Sequence, residues 1–442
     1  MTLLIKNGRL VDPSQKLDKK TDVLIEDGRI AKIGSIAPPR GADVIDAGGC
    51  VVLPGLIDLH VHLREPGQEH KETIKSGTRA AVAGGFTSVC AMANTVPPND
   101  ERPVTEMMIA EARRSAACRV YPIGAVSRGL QGEELTEMAD LQAAGCIAFS
   151  DDGMPVTNTK LMRSALEYSK MLGLPVIVHE QDAHLSGGAV MHEGYYSTLL
   201  GLKGAPAAAE AVMTARDVEL VELAGGHLHV AHISTIGSIE AVRRARVKGL
   251  HVTSEATPHH IALTDENLQS FSTDFKMNPP LRSEDHRLAL IEAIKDGTID
   301  VIATDHAPHH MDEKRVEFDL APFGVTGLET SFAVCYEVLV KGRHISLDRL
   351  VELMSCAPAR IFNLPGGTLR EGSPGDVTVV NLDTESTFDS FRSRASNSPF
   401  RGRTFSGKVV ATIVGGDVRY SDIALPKESG TKAAGKKSRS KK

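Results

Sequence analysis

The 442-residue sequence has no tryptophan, and phenylalanine and tyrosine number only 12 and 6. So few flat side chains leave little from which to build base-stacking platforms. A basic excess is missing too. Fifty Lys and Arg stand against 56 Asp and Glu, a formal net charge of −6, the wrong sign for a surface that coats nucleic acid. No run approaches the roughly 18 consecutive apolar residues of a membrane span. The opening Met1-Thr-Leu-Leu-Ile-Lys-Asn lacks the charged leader and apolar stretch of a signal peptide. Cys50, Cys90, Cys118, Cys146, Cys335 and Cys356 form no C-x-x-C pair and scatter as buried, reduced thiols do. These absences point to a soluble cytoplasmic protein that works on neither nucleic acid nor membrane. The abundant residue is histidine, with seventeen copies.

The first fifty residues read as short strands joined by tight turns. Asn7-Gly8 and Asp27-Gly28 each separate apolar runs, which is a hairpin signal because Asn, Asp and Gly tolerate positive φ. A related texture returns at Asp376–Asn381, Lys408–Val414 and Gly415–Tyr420, so the two ends are expected to pair into one small β domain. Between them, apolar or β-branched runs alternate with Ala-, Glu- and Arg-rich helical segments. The runs are Leu56–His62, Thr87–Met92, Arg119–Gly124, Cys146–Ser150, Pro175–His179, His227–Ile233, His251–Ala256 and Asp300–Asp305. Eight strands alternating with helices over about 300 residues predict an α/β fold, a (β/α)8 barrel with a small β-sandwich domain formed from both chain ends. The expected boundaries are 1–53 and 367–425 for the sandwich, 54–366 for the barrel, and 426–442 for a disordered basic tail.

In such a barrel the catalytic residues stand at the C-terminal ends of the strands. The first strand ends in His60-Val-His62, and residues two apart on a strand share a face, so both imidazoles can reach one metal. The fourth ends in Ser150-Asp151-Asp152, the fifth in His179-Glu180, the sixth in His232 and the eighth in Asp305-His306. Four imidazoles and two carboxylates suffice for two ions sharing a carboxylate, clamping a hydroxide between metals roughly 3.5–4 Å apart. Zinc is the first choice for N and O donors of this kind. Arg64, two residues beyond the pair, can fork onto a substrate carboxylate.

The motifs Asp58-Leu-His-Val-His-Leu-Arg-Glu-Pro-Gly, Ser150-Asp-Asp-Gly, Met277-Asn-Pro-Pro-Leu-Arg and Ile302-Ala-Thr-Asp-His-Ala-Pro-His resemble those of the amidohydrolase superfamily. More narrowly, they resemble bacterial class I dihydroorotases. The resemblance implies zinc-dependent, reversible hydrolysis of the cyclic amide of dihydroorotate to N-carbamoyl-L-aspartate, ring closure being the direction of pyrimidine synthesis. It implies that His60, His62 and Asp305 bind one Zn2+, that His179 and His232 bind a second, and that Asp152 bridges them where many relatives use a carboxylated lysine. The two aspartates adjoin, and only the resemblance selects Asp152 over Asp151. A bridging hydroxide would attack the amide carbonyl, with Asp305 as general base and then acid. His62, Arg64, Asn94, Asn278, His309, Phe323 and Gly324 are the implied substrate contacts. A homodimer and association with aspartate transcarbamoylase are implied as partners.

Competing readings are a dihydropyrimidinase, hydantoinase or allantoinase, and a silent scaffold for a transcarbamoylase. Arg64 argues against the first group, whose typical substrates lack the carboxylate, and the complete ligand set argues against the second. His259 and His260 are expected in loop or outer positions, and His310 in a loop. His184, His192 and His286 are expected to be solvated. Glu180 and Glu255 receive no role. The segment from Met311 to Gly327 is expected to close over the substrate.

Overall fold

The computed structural model describes residues 2–423. The expected tail at 426–442 lies outside them. The eight anticipated runs form eight parallel strands: Leu56–Val61, Phe86–Ala91, Arg119–Pro122, Phe149–Ser150, Val176–Val178, Leu228–Val230, Val252–Ala256 and Val301–Ile302. The first three pair in order, and so do the last five. A parallel bridge between Gly124 and Phe149 joins the two groups, and a second between Val61 and His306 joins the eighth strand to the first. The His62 amide donates to the His306 carbonyl at 2.8 Å across that seam. The ring is closed, a (β/α)8 barrel without an open edge.

Helices pack outside the ring on one apolar cluster that includes Phe86, Val89, Leu166, Val218, Ile239 and Phe332. A second cluster, with Ile123, Ile177 and Val301, is stoppered by Phe362 and Leu364 from the segment after the last helix. The helix Ile74–Ala83 begins where Thr73 and Ser76 form a capping box.

Both ends of the chain meet in two sheets around Leu3, Ile5, Val23, Ile45, Val377, Val379 and Ile413. One sheet takes Thr2–Lys6, Asp22–Glu26, Arg29–Gly34 and Asp43–Asp46, and the other combines four-residue N-terminal strands with Val377–Thr387 and Thr404–Val414. Val51–Pro54 pairs with Val377–Val380, which ties the two ends of the chain together.

Asp27-Gly28 is the expected hairpin, with φ of 50° and 77° and Glu26 opposite Arg29. Asn7-Gly8 is not. Thr2–Lys6 pairs with strands of one sheet and Arg9–Asp12 with strands of the other, so the dipeptide is a corner between layers. The Asp22 carboxylate accepts the Asn7 amide at 3.0 Å, and a Cβ on Gly8 would lie 2.5 Å from Val52. Side-chain capture and close packing override the local turn preference here. Among the described residues no helix is long and apolar enough to cross a membrane.

Asp12, fully buried, ties the returning chain to the first strands. Its carboxylate accepts Ser14 N at 3.0 Å, Gln15 Nε2 at 2.7 Å, Thr368 Oγ1 at 3.1 Å and Leu369 N at 2.7 Å. Asp12→Ala strands these donors, so the expected loss is about 2–3 kcal/mol, read as a lower urea midpoint; an unchanged midpoint would show that the clamp is not needed.

Candidate metal centre

The strand ends converge on Asp152. Its carboxylate lies 3.4 Å from His60 Nε2, His62 Nε2 and His232 Nε2, and 3.6 Å from His179 Nδ1. Asp305 Oδ1 lies 3.1 Å from His62 Nε2 and 3.6 Å from His60 Nε2. Asp151 turns away, accepting Val126 N at 2.8 Å, Ser127 N at 3.0 Å and the Ser127 hydroxyl. The structure thus separates two aspartates that the sequence leaves equivalent.

Two overlapping triads, His60-His62-Asp305 and His60-Asp152-His232, hold their ligand atoms within 4.8 Å of one another. His60 is common to both triads. His179 stands beside the second triad, with Nδ1 3.0 Å from His232 Nε2.

These residues fit a cation. His60 Nε2 and Asp152 Oδ1 are buried and have no hydrogen-bond partner. His60 Nδ1 donates to Glu255 Oε1 at 2.7 Å, which leaves a lone pair on Nε2 aimed at an anionic oxygen. Two donor atoms each 2.0–2.2 Å from a tetrahedral zinc stand about 3.3–3.6 Å apart, close to the spacings above. Burial pushes Asp152 up, but the surrounding imidazoles outweigh it and hold the carboxyl well below its ordinary range. Asp305 behaves alike, held at about 2 against burial by His62 and His60. Burial pulls His60 down, yet Asp152 and Glu255 raise it well above an ordinary imidazole. A field that holds a proton there also favours a metal cation.

Outer partners fix the rings. Asn94 Oδ1 accepts His62 Nδ1 at 2.8 Å, and Asn94 Nδ2 donates to the Asp152 carbonyl at 3.2 Å. Asn278 Nδ2 lies 3.0 Å from His179 Nε2. Glu255 accepts from both His60 and His229, a role that the sequence reading did not assign. The signal was available: Thr253 and Glu255 on the seventh strand, like His227 and His229 on the sixth, alternate as one inward face requires.

Above the centre lies a cavity of about 230 Å³ whose walls include His62, Arg64, Asn94, Asn278, His309, Phe323 and Gly324. Arg64 is buried, at 9% exposure. Its Nε donates to the Pro308 carbonyl at 3.2 Å and its Nη2 lies 3.5 Å from His309 Nε2. Among the described residues no carboxylate is within 4.0 Å of the guanidinium. Burial lowers Arg64 to about 10, so it is charged at neutral pH. His309, pulled down to about 3 by burial and Arg64, is neutral, and its Nε2 donates to the Phe323 carbonyl at 2.8 Å.

The segment from Met311 to Gly327 is pinned rather than free. Buried Lys314 donates to the carbonyls of Gly324 at 2.9 Å, Pro322 at 3.0 Å and Lys276 at 3.3 Å. Lys276 in turn donates to Phe318 O at 2.7 Å and Asp319 O at 3.0 Å. Gly324 has φ of 130°, and a Cβ there would meet Ala307 at 2.9 Å.

His259 and His260 sit buried on the short helix Pro258–Ala262, and His260 Nε2 donates to the Pro279 carbonyl at 2.9 Å, steadying the loop that carries Asn278. His192 is buried rather than solvated, because the short strand Met191–His192 sets it 3.2 Å from Arg282 Nη1. His286 is half-buried and His184 exposed. His306 points to Glu72, at 3.5 Å.

A dihydro-orotase-like family model matches residues 49–238. A protein named dihydroorotase from Anaeromyxobacter dehalogenans is 53% identical over 425 residues, covering 95% of this chain and 98% of its own. One from Geobacter metallireducens is 50% identical over 423 residues, covering 95% and 100%. Among solved structures, the L-hydantoinase (dihydropyrimidinase) of Arthrobacter aurescens is 26% identical with a TM-score of 0.86, over 96% of this chain and 97% of that one.

A ligand that binds only the folded state stabilises it by about 4 kcal/mol at a thousandfold excess over its Kd. Stripping divalent ions with a chelator is expected to lower the Tm by several degrees, and added zinc to restore it; an unmoved Tm would contradict a metal centre.

Proposed function

The chain belongs to the dihydroorotase family and is a cyclic amide hydrolase, and from that premise we propose how its residues divide the work. The observation that carries the reading is Arg64: a buried guanidinium with no carboxylate partner among the described residues, opening on the cavity above Asp152 and Asp305. An unpaired buried charge is costly, and a substrate carboxylate removes that cost. Dihydroorotate supplies both the carboxylate and a cyclic amide. A neutral dihydropyrimidine ring supplies only the amide. Among the described residues the cavity lining holds no lysine, which supports Asp152 in the bridging role.

His60, His62 and Asp305 would hold one divalent ion and His179 and His232 a second, with Asp152 between them; zinc suits these donors. Bound there, the ions supply carbonyl polarisation and a water of lowered pKa. The chain does the rest. Arg64 forks onto the carboxylate and fixes the ring's orientation. Asn94, Asn278, neutral His309 and the Phe323-Gly324 backbone border the ring, while His62 faces it from the metal side. Asp305, ionised and fixed by His62, takes the proton from the attacking water. It returns that proton to the ring nitrogen as the C–N bond breaks, giving N-carbamoyl-L-aspartate. Ring closure retraces these steps.

The division at 1–53, 54–366 and 367–425 belongs to the same proposal and places every ligand in the barrel. A cytoplasmic setting is supported by six buried, free cysteines. Homodimerisation and transcarbamoylase association are read by sedimentation of the protein alone and mixed with the transcarbamoylase.

Wild-type protein is expected to turn over dihydroorotate and to leave dihydrouracil, the same ring without the carboxylate, essentially untouched. Equal turnover of both would sink the Arg64 argument. Arg64→Gln should lower kcat/KM by ~30-fold or more, the equivalent of about 2 kcal/mol. Asp305→Asn should retain metal by elemental analysis and lower kcat by about 100- to 10,000-fold; near-normal kcat would remove Asp305 from proton transfer.

A further inference from the structure

Inside the barrel, a column of hydrogen bonds runs from the metal centre toward the opposite mouth. Glu255 Oε1 meets His60 Nδ1 at 2.7 Å, and Glu255 Oε2 meets His229 Nε2 at 3.1 Å. His229 Nδ1 meets Thr253 Oγ1 at 2.8 Å, and the same hydroxyl meets His227 Nε2 at 2.8 Å. The strand register produces this order, because His229 pairs directly with Thr253 and the polar residues alternate on both strands. His229, Glu255 and His60 are at most 1% exposed. His227 stacks on exposed His251, with ring centroids 3.8 Å apart. Both line a cavity bordered by Gly173, Gly225 and Gly249, in the turns that precede three barrel strands. The column therefore joins the N-terminal mouth to the metal side.

Its polarity has one consistent solution with all imidazoles neutral. A carboxylate accepts only, so His60 Nδ1 and His229 Nε2 both carry protons toward Glu255. His229 Nδ1 is then an acceptor and takes the Thr253 hydroxyl proton. The Thr253 oxygen in turn accepts from His227 Nε2. Every donor points toward Glu255, so the carboxylate at the near end fixes the proton positions out to His227 at the far end.

We propose that Glu255 is a positioning residue that sets the tautomer of His60, and that His229 and Thr253 relay its state to the tautomer of His227 at the barrel's N-terminal mouth. It rests on the reading of His60 as a metal ligand. With the Nδ1 proton on Glu255, His60 presents a bare Nε2 to the centre and is oriented for it; partners of this kind contribute about 10- to 100-fold in metal affinity. An amide at position 255 inverts the far half. Its oxygen still accepts from His60, but its NH2 now donates to His229 Nε2. The His229 proton moves to Nδ1, Thr253 accepts it and turns its own hydroxyl toward His227 Nε2, and His227 must carry its proton on Nδ1. A change near the metals is thereby written on a ring at the other mouth.

The test uses the full chain with isotope-labelled histidine and two readouts besides activity. Zinc affinity is measured by competition with a chelator, and the tautomer of His227 by its imidazole nitrogen shifts, assigned by their loss in His227→Asn. Wild type should show His227 protonated on Nε2, and Glu255→Gln should bind zinc about 10- to 100-fold more weakly with His227 switched to Nδ1. Adding Thr253→Val, which removes the central hydroxyl, should abolish the effect of Glu255→Gln on His227. If wild type binds no zinc, the metal reading itself fails. If wild type binds zinc but Glu255→Gln leaves affinity within twofold, or leaves His227 on Nε2 while Thr253 is intact, the relay is overturned.

Discussion

Asp152 meets four imidazoles at 3.4–3.6 Å inside a closed barrel, and much of the surrounding structure serves that contact. A carboxylate and lone-pair nitrogens cannot be packed this closely away from water unless positive charge is shared among them. The charge can be a proton or a metal cation, and the ring orientations favour the metal, since His60, His62 and His179 each use their other nitrogen on an outer partner. The proposed ligands come from the ends of five strands far apart in sequence, so only ring closure brings them together. The Val61–His306 bridge matters for this reason. It joins the strand carrying His60 and His62 to the one leading into Asp305.

Much of this was legible in the chain because the barrel has a simple grammar. Eight apolar runs gave eight strands, and ionisable residues at their ends gave the centre. What was not legible depends on direction. Asp151 and Asp152 are chemically alike, and only the backbone at Ser150 decides which points to the imidazoles and which to the Ser127 loop. His192 was misjudged because its burial comes from a two-residue strand pairing that no local pattern announces. Asn7-Gly8 was misjudged for the converse reason: a strong local turn signal yielded to Asp22 and Val52, neither adjacent in sequence. Glu255 was visible as a strand-end carboxylate, but its function required knowing that Thr253 and His229 sit side by side.

The substrate side obeys a different logic from the metal side. The centre gathers opposite charges, whereas Arg64 is buried next to a neutral histidine and a carbonyl. Lys314 and Lys276 repeat the theme, spending their ammonium protons on five backbone carbonyls between them. Burial lowers Lys314 to about 7, although three carbonyl acceptors favour the protonated form. These ammonium groups hold the Phe323-Gly324 wall in place.

Positioning of this kind is destabilising. Arg64, His232 and Asp305 have φ of 60°, 31° and 46°, a region that costs non-glycine residues about 1–3 kcal/mol each. The strain falls on the proposed carboxylate binder, a proposed metal ligand and the proposed proton carrier. A relaxed backbone at those points would turn each side chain off its strand direction and away from the cavity. The closed ring of strands, the pinned loop and the column beneath His60 are what hold these conformations.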